Sequence, residues 1–238
     1  MESEINSILI VEGTTDAQFI EAIIRDIHPN HRTLDVLGIV FDKLYASDVS
    51  ALTKKLLSLQ TDLRAKPITK LGIILDKDDY SMTDRINMLN QAFVAAYYSI
   101  QPFTATINQI VYDINSKRSI DISYFIVKDG NDKGNIETLL TEIVNFPKNA
   151  ADCLEVWKKC CESKGINIKS SDYYKEWIKF YLRYDYCLTN KNKLAKHASE
   201  YCTPEKSFEN MNKDEIPKPW DFKHPVLDEL KTYLQKFL

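Results

Sequence analysis

Three apolar runs in this chain each end in acidic residues. Ser7-Ile-Leu-Ile-Val11 leads into Glu12 and, four positions on, Asp16. Lys70-Leu-Gly-Ile-Ile-Leu75 leads into Asp76-Lys77-Asp78-Asp79. A β-rich stretch over 119–127 leads through Lys128 to Asp129, Asp132 and Glu137. Carboxylates drawn to one place repel. A pair ~4 Å apart costs roughly 1 kcal/mol in water and about 4 kcal/mol at an effective dielectric of 20. A divalent cation relieves that repulsion, because Mg²⁺ takes hard carboxylate oxygens and keeps positions open for phosphate. In an extended backbone alternate side chains share a face, so Asp76 and Asp78 can address one ion while Lys77 points away. Glu12 can join them as a ligand, or act as a general acid/base on an attacking or leaving oxygen.

The elements that must position these groups follow from hydrophobic spacing. The runs 7–11 and 70–75 are continuous, β-branched and short, the pattern of strands buried on both faces of a parallel sheet. Between them, Ala17, Phe19, Ile20, Ile23, Ile24 and Ile27 recur at helical spacing and stop before His28-Pro29. A second strand is read at Leu34–Gly38. A helix capped by Ser47 or Asp48 carries Val49, Leu52, Leu56, Leu57 and Leu63. Ser81-Met-Thr-Asp84 has capping-box spacing, with Asp in place of Glu, and opens a helix to about Tyr98. Strands over 105–113 and 119–127, joined by Asn115-Ser-Lys-Arg118, form a hairpin. Ile136, Leu139, Leu140 and Ile143 mark a short helix.

From Asn149 onward helices are read at about 150–164, 171–187, 190–202 and 225–238, with Pro217-Lys-Pro-Trp220 as a joint. The fold class is therefore α/β. It is an open, mainly parallel sheet flanked by helices, with an added hairpin and an α-helical C-terminal part. The domain reading is residues 1–145 for the α/β part and 146–238 for the helical extension packed on it. In such a sheet the carboxyl ends of the strands lie side by side, and ligands bind where the strand order switches, so Glu12 and Asp76 would converge.

Composition agrees. With 44% hydrophobic and 11% aromatic residues, the 238-residue chain is neither disordered nor fibrous and is long enough to build a core. No run approaches the ~20 apolar residues of a membrane span, and the first residues lack the pattern of a secretory signal. Five cysteines, Cys160 and Cys161 adjacent, do not read as a disulfide framework, which makes a reducing cytoplasmic setting the expectation. Residues 146–238 carry 17 of the 31 Lys and Arg against 14 of the 34 Asp and Glu, leaving 14 against 20 in residues 1–145. An acidic first part beside a mildly basic second fits a metal-holding core next to a surface for a phosphate backbone.

Other residues take plainer readings. Cys187, His197 and Cys202 match no standard zinc spacing. His28 and His31 flank a turn, the aromatic run 173–186 is core packing, and Asp79 and Asp129 are turn or cap residues. Lys133 is a solvated loop lysine.

Val11-Glu12-Gly13 closing one apolar strand, with Asp76-x-Asp78 closing another about 60 residues later, resembles the Toprim domain of topoisomerases, bacterial primases, recombination proteins and OLD-type nucleases. The resemblance covers about residues 7–144, and Trp220-Asp-Phe-Lys-His-Pro225 resembles a segment of small stand-alone Toprim proteins. It implies that Glu12, Asp76 and Asp78 bind Mg²⁺ (or Mn²⁺) and carry phosphodiester chemistry. Asp16 and Glu137, the latter in Gly134-Asn-Ile-Glu137, would be second-site ligands. The implied activity is metal-dependent hydrolysis of nucleic acid, since no tyrosine-bearing topoisomerase domain is evident, with a separate ABC/AAA-type ATPase as partner in phage defence and no membrane. Two alternatives stay open. One is a non-catalytic module binding metal and nucleic acid, and the other is a receiver-like phosphoacceptor switch in which Lys128 ends a late strand.

Overall fold

The computed structural model describes residues 6–29, 39–44, 48–65, 68–104, 109–113, 118–129, 134–188, 202–211, 213 and 216–238. The chain divides into two compact units. The first holds residues 1–128 and 229–238, and the second holds 129–228. Residues 129–145 thus group with the helical part, and the last helix groups with the sheet.

The first unit contains β1 (Ser7–Val11), α1 (Thr14–Ile27), β2 (Ile39–Lys43), α2 (Val49–Ala65), β3 (Lys70–Asp76), α3 (Met82–Ala95), β4 (Tyr98–Ser99), β5 (Gln109–Asp113) and β6 (Arg118–Val127). The six strands form one sheet in the order β2-β1-β3-β6-β5-β4. The first four are mutually parallel, and β5 and β4 add antiparallel at the edge. This is the expected α/β sheet with its hairpin. β3 pairs with parallel neighbours on both sides, which is why its sequence is an unbroken apolar run.

Chain direction reverses at β1: the chain steps from β1 outward to β2, then back past β1 to β3. Right-handed crossovers in opposite senses place α1 and α2 on opposite faces. Accordingly Ile8, Ile10, Leu71, Ile73 and Leu75 pack with Leu52 and Leu56 of α2 and with Met88, Leu89 and Phe93 of α3. The other face holds Leu9 and, at Gly72, the helix at residues 228–237. A Cβ on Gly72 would lie 2.5 Å from a Leu9 methyl and 2.8 Å from both Phe237 and the Tyr233 hydroxyl, so only glycine admits that helix.

Several boundaries differ from expectation. The strand read at 34–38 lies outside the described residues; β2 spans the five residues that follow. The helix expected to reach Tyr98 ends at Ala95. Tyr97 then takes a positive φ of 63° and Tyr98 turns into β4. Residues 105–108, the turn read at 115–118 except Arg118, and the helix read at 190–202, all but Cys202, also fall outside the described set.

The second unit contains α4 (Ile136–Glu142), α5 (Asn149–Asp152), α6 (Leu154–Ser163), α7 (Ser170–Phe180), a π-helical segment (Tyr181–Cys187), α8 (Pro204–Asn210) and a 3-10 turn (Pro225–Leu227); α9 (Asp228–Phe237) then begins at its last residue and runs on into the first unit. The aromatic run is core packing, as read. Trp177 stacks on Tyr181, Tyr181 meets Trp220, and Trp220 stacks on Phe208. Asp185, buried in the π-helical segment, accepts from the Ala150 and Ala151 N–H groups at 2.8 and 2.9 Å and so caps α5. One expectation is corrected: Cys187 and Cys202 form a disulfide, leaving Cys153, Cys160 and Cys161 free.

Candidate functional site

β1 and β3 are adjacent and parallel, and the strand order switches between them. The backbone N–H of Asp76, last in β3, donates to Glu12 Oε1 at 2.9 Å. That bond joins the carboxyl ends of the two strands across 64 residues of sequence, as the sheet argument requires. The end of β6 is drawn in by Lys77 N–H donating to Val127 O at 2.9 Å.

Asp78 sits differently from the extended reading. The strand ends at Asp76, and Asp78 takes the left-handed conformation (φ 51°), which Asp tolerates better than most residues. The alternation that would have aligned Asp76 and Asp78 is therefore broken. Asp78 is turned to α3, where Arg85 Nη2 donates to its Oδ2 at 2.7 Å. The same Nη2 lies 3.8 Å from Glu12 Oε1, and the guanidinium stands 4.5 Å over the Tyr80 ring. Arg85 is only 2% exposed. Sequence reasoning missed it, although a charge in the stripe formed with Met88, Leu89 and Ala92 was visible in the spacing.

Asp16 is buried in the first turn of α1, and its Oδ2 accepts from the Gly13 N–H at 2.7 Å. Its charge still reaches Glu12. Burial pushes the Glu12 carboxyl up to about 7, with Asp78 and Asp16 adding to the rise while the Asp76 N–H and Arg85 oppose it. Glu12 is thus poised to hold or release a proton near neutrality. Asp84, by contrast, is held below its usual range by the Ser81 hydroxyl and N–H, in the capping role assigned to it.

Glu137 belongs to the second unit. Gly134 precedes it at φ 97°, where a Cβ would come within 2.0 Å of Thr138 Oγ1. Asn135 then caps α4 by accepting from Thr138 N–H at 3.0 Å. Gly134-Asn-Ile-Glu137 is thus a tight capped turn, and Glu137 at its end lies 3.9 Å from Lys175 Nζ. Asp132, Lys133 and His197 lie outside the described residues.

Among the described residues, no group of three or more His, Cys, Asp or Glu side chains is placed to hold a metal ion. The donor chemistry at the β1–β3 rim suits Mg²⁺, but the cation facing Glu12 and Asp78 is the Arg85 guanidinium. In this arrangement the residues do not form a metal cage.

The family model for DUF3226, described as a protein of unknown function, matches residues 6–238. The chain belongs to this family. No curated protein and no solved structure matches it. For this DUF3226 member, no helix among the described residues is long and apolar enough to cross a membrane.

Proposed function

We propose that this chain is a Toprim-type enzyme that hydrolyses nucleic-acid phosphodiesters. One observation carries the reading: the Asp76 N–H to Glu12 hydrogen bond, which puts the two motif-bearing strand ends together at the switch point. Glu12, with a carboxyl near 7, is the proton-transfer group for the attacking or leaving oxygen. Arg85, buried beside it and bonded to Asp78, offsets the carboxylate charge gathered at this rim. The Toprim resemblance implies Mg²⁺ or Mn²⁺ at Glu12, Asp76 and Asp78, with Asp16 and Glu137 as second-site ligands. Binding there competes with the Arg85 bond to Asp78, so metal dependence is a separate measurement. The same resemblance makes a separate ABC-type ATPase the proposed partner.

The test incubates purified protein with single- and double-stranded DNA and RNA in Mg²⁺, Mn²⁺ or chelator. Cleavage is expected, reduced at least about a hundredfold by Glu12→Gln and by Asp78→Asn. Cleavage undiminished in both variants, or absent from all four substrates with either metal, overturns the reading.

A further inference from the structure

A second feature of the same rim is basic. β2 ends at Lys43, and the chain re-enters a helix at α2. Between them lies a cavity of about 430 Å³ lined by Lys43, Leu44, Asp48, Ser50, Ala51, Lys54, Lys55 and Ser58. That is within the range of small-ligand sites. Three of the eight lining residues are lysines and one is acidic. The one acid is engaged, since Asp48 Oδ1 accepts from the Ala51 N–H at 2.8 Å as the cap of α2. Lys55 is engaged too, 2.7 Å from Asp42. Lys43 and Lys54 line the cavity and are in no ion pair among the described residues. Ser50 and Ala51 belong to the first turn of a 17-residue helix, whose N-terminal end is already capped by Asp48.

Register fixes where this cavity lies. Lys43 is the in-register neighbour of Val11, and the Leu44 N–H donates to Val11 O at 2.9 Å. Adjacent strands are about 4.8 Å apart, so the cavity opens one strand away from the backbone that carries Glu12. A phosphate held at Lys43 and Lys54 would lie on the same carboxyl edge as the proposed reacting group. A duplex, stiff over ~150 base pairs, cannot follow a path from this cavity to Glu12 without a bending cost. A flexible single strand can.

We propose that the lysine-lined cavity between the end of β2 and the start of α2 binds backbone phosphate of single-stranded nucleic acid. This rests on the hydrolase reading for its substrate class but makes a binding claim of its own.

The experiment measures binding of a labelled single-stranded oligonucleotide by anisotropy in chelator, across salt concentrations, for wild type, Lys43→Gln/Lys54→Gln and Lys43→Arg/Lys54→Arg, with melting curves confirming that each variant folds. The glutamine pair is expected to weaken binding about tenfold at 0.1 M salt and to flatten the salt slope by roughly 1.4, the value for two single-strand phosphate contacts. The arginine pair is expected to restore both. An unchanged affinity and slope in the glutamine pair overturns the site. Inorganic phosphate competing as well, per phosphate, as the oligonucleotide also overturns it, in favour of a single-anion pocket. Lysine-dependent binding without cleavage leaves this inference standing and removes the hydrolase. Cleavage with lysine-independent affinity does the reverse.

Discussion

Glu12 concentrates the physical tension of the candidate site. Its carboxyl rises from 4.5 in the unfolded chain to about 7 in the fold, chiefly because burial disfavours the charged form. Between those two values the folded state holds a proton the unfolded state has released. The resulting stabilisation is complete below pH 4.5 and is lost as pH climbs through 7. The gap corresponds to about 3 kcal/mol. Glu12→Gln cannot ionise and keeps an acceptor for the Asp76 N–H. Urea unfolding should therefore find the variant close to wild type at pH 5 and more stable by about that amount at pH 8.5. A stability difference that does not change with pH would mean that Glu12 titrates normally. At this scale the sequence was partly readable. Acids that close apolar runs are visible as text, so Glu12, Asp76 and Asp78 could be named. The left-handed turn at Asp78 and the reach of Arg85 could not, because both depend on how α3 returns over the end of β3.

Elements were most readable where burial is two-sided. β1 and β3 are unbroken apolar runs because every neighbour position in the sheet is occupied, and helices α1 to α3 announce themselves by stripe and cap. β2 was not read, because Ile39-Val-Phe-Asp-Lys43 ends in two polar residues, as suits a strand with one partner among the described residues. α8 went unread, since seven residues opening on Thr203-Pro204 hold too few turns to show a period. The disulfide was beyond reach for another reason: five cysteines permit many pairings, and only the fold brings Cys187 and Cys202 to a Cα separation of 6.2 Å. Unreduced denatured protein should titrate three thiols and reduced protein five. Cys187→Ser should cost about 3 kcal/mol, the chain-entropy value for a loop near this 15-residue separation. Five thiols without reductant would remove the bond.

At the scale of the whole chain the sheet unit is discontinuous, completed by its last ten residues after an excursion of a hundred. Sequence periodicity identifies α9 as an amphipathic helix but cannot say which face it covers. The deciding contacts are made by Gly72 and by Lys70, whose Nζ donates to the Phe237 and Leu238 carbonyls at 3.0 and 3.3 Å and so caps the helix C-terminus. Lys231 of α9 pairs with Asp26 of α1 at 2.8 Å, and the Tyr233 hydroxyl meets that of Ser123 at 3.1 Å on β6. Leu230, Leu234 and Phe237 are buried in the process. At about 1.5–3 kcal/mol for each such side chain, their loss approaches the 5–15 kcal/mol that separates a folded domain from its unfolded chain. Ending the chain at Asp228 should therefore abolish the cooperative melt of the sheet unit, and amide exchange should show β1 and β3 unprotected. If the shortened chain kept protected β1 and β3 amides and melted within a few degrees of the full-length protein, α9 would be an appendage. The face of the sheet that carries Leu9 and Gly72 would then need some other cover.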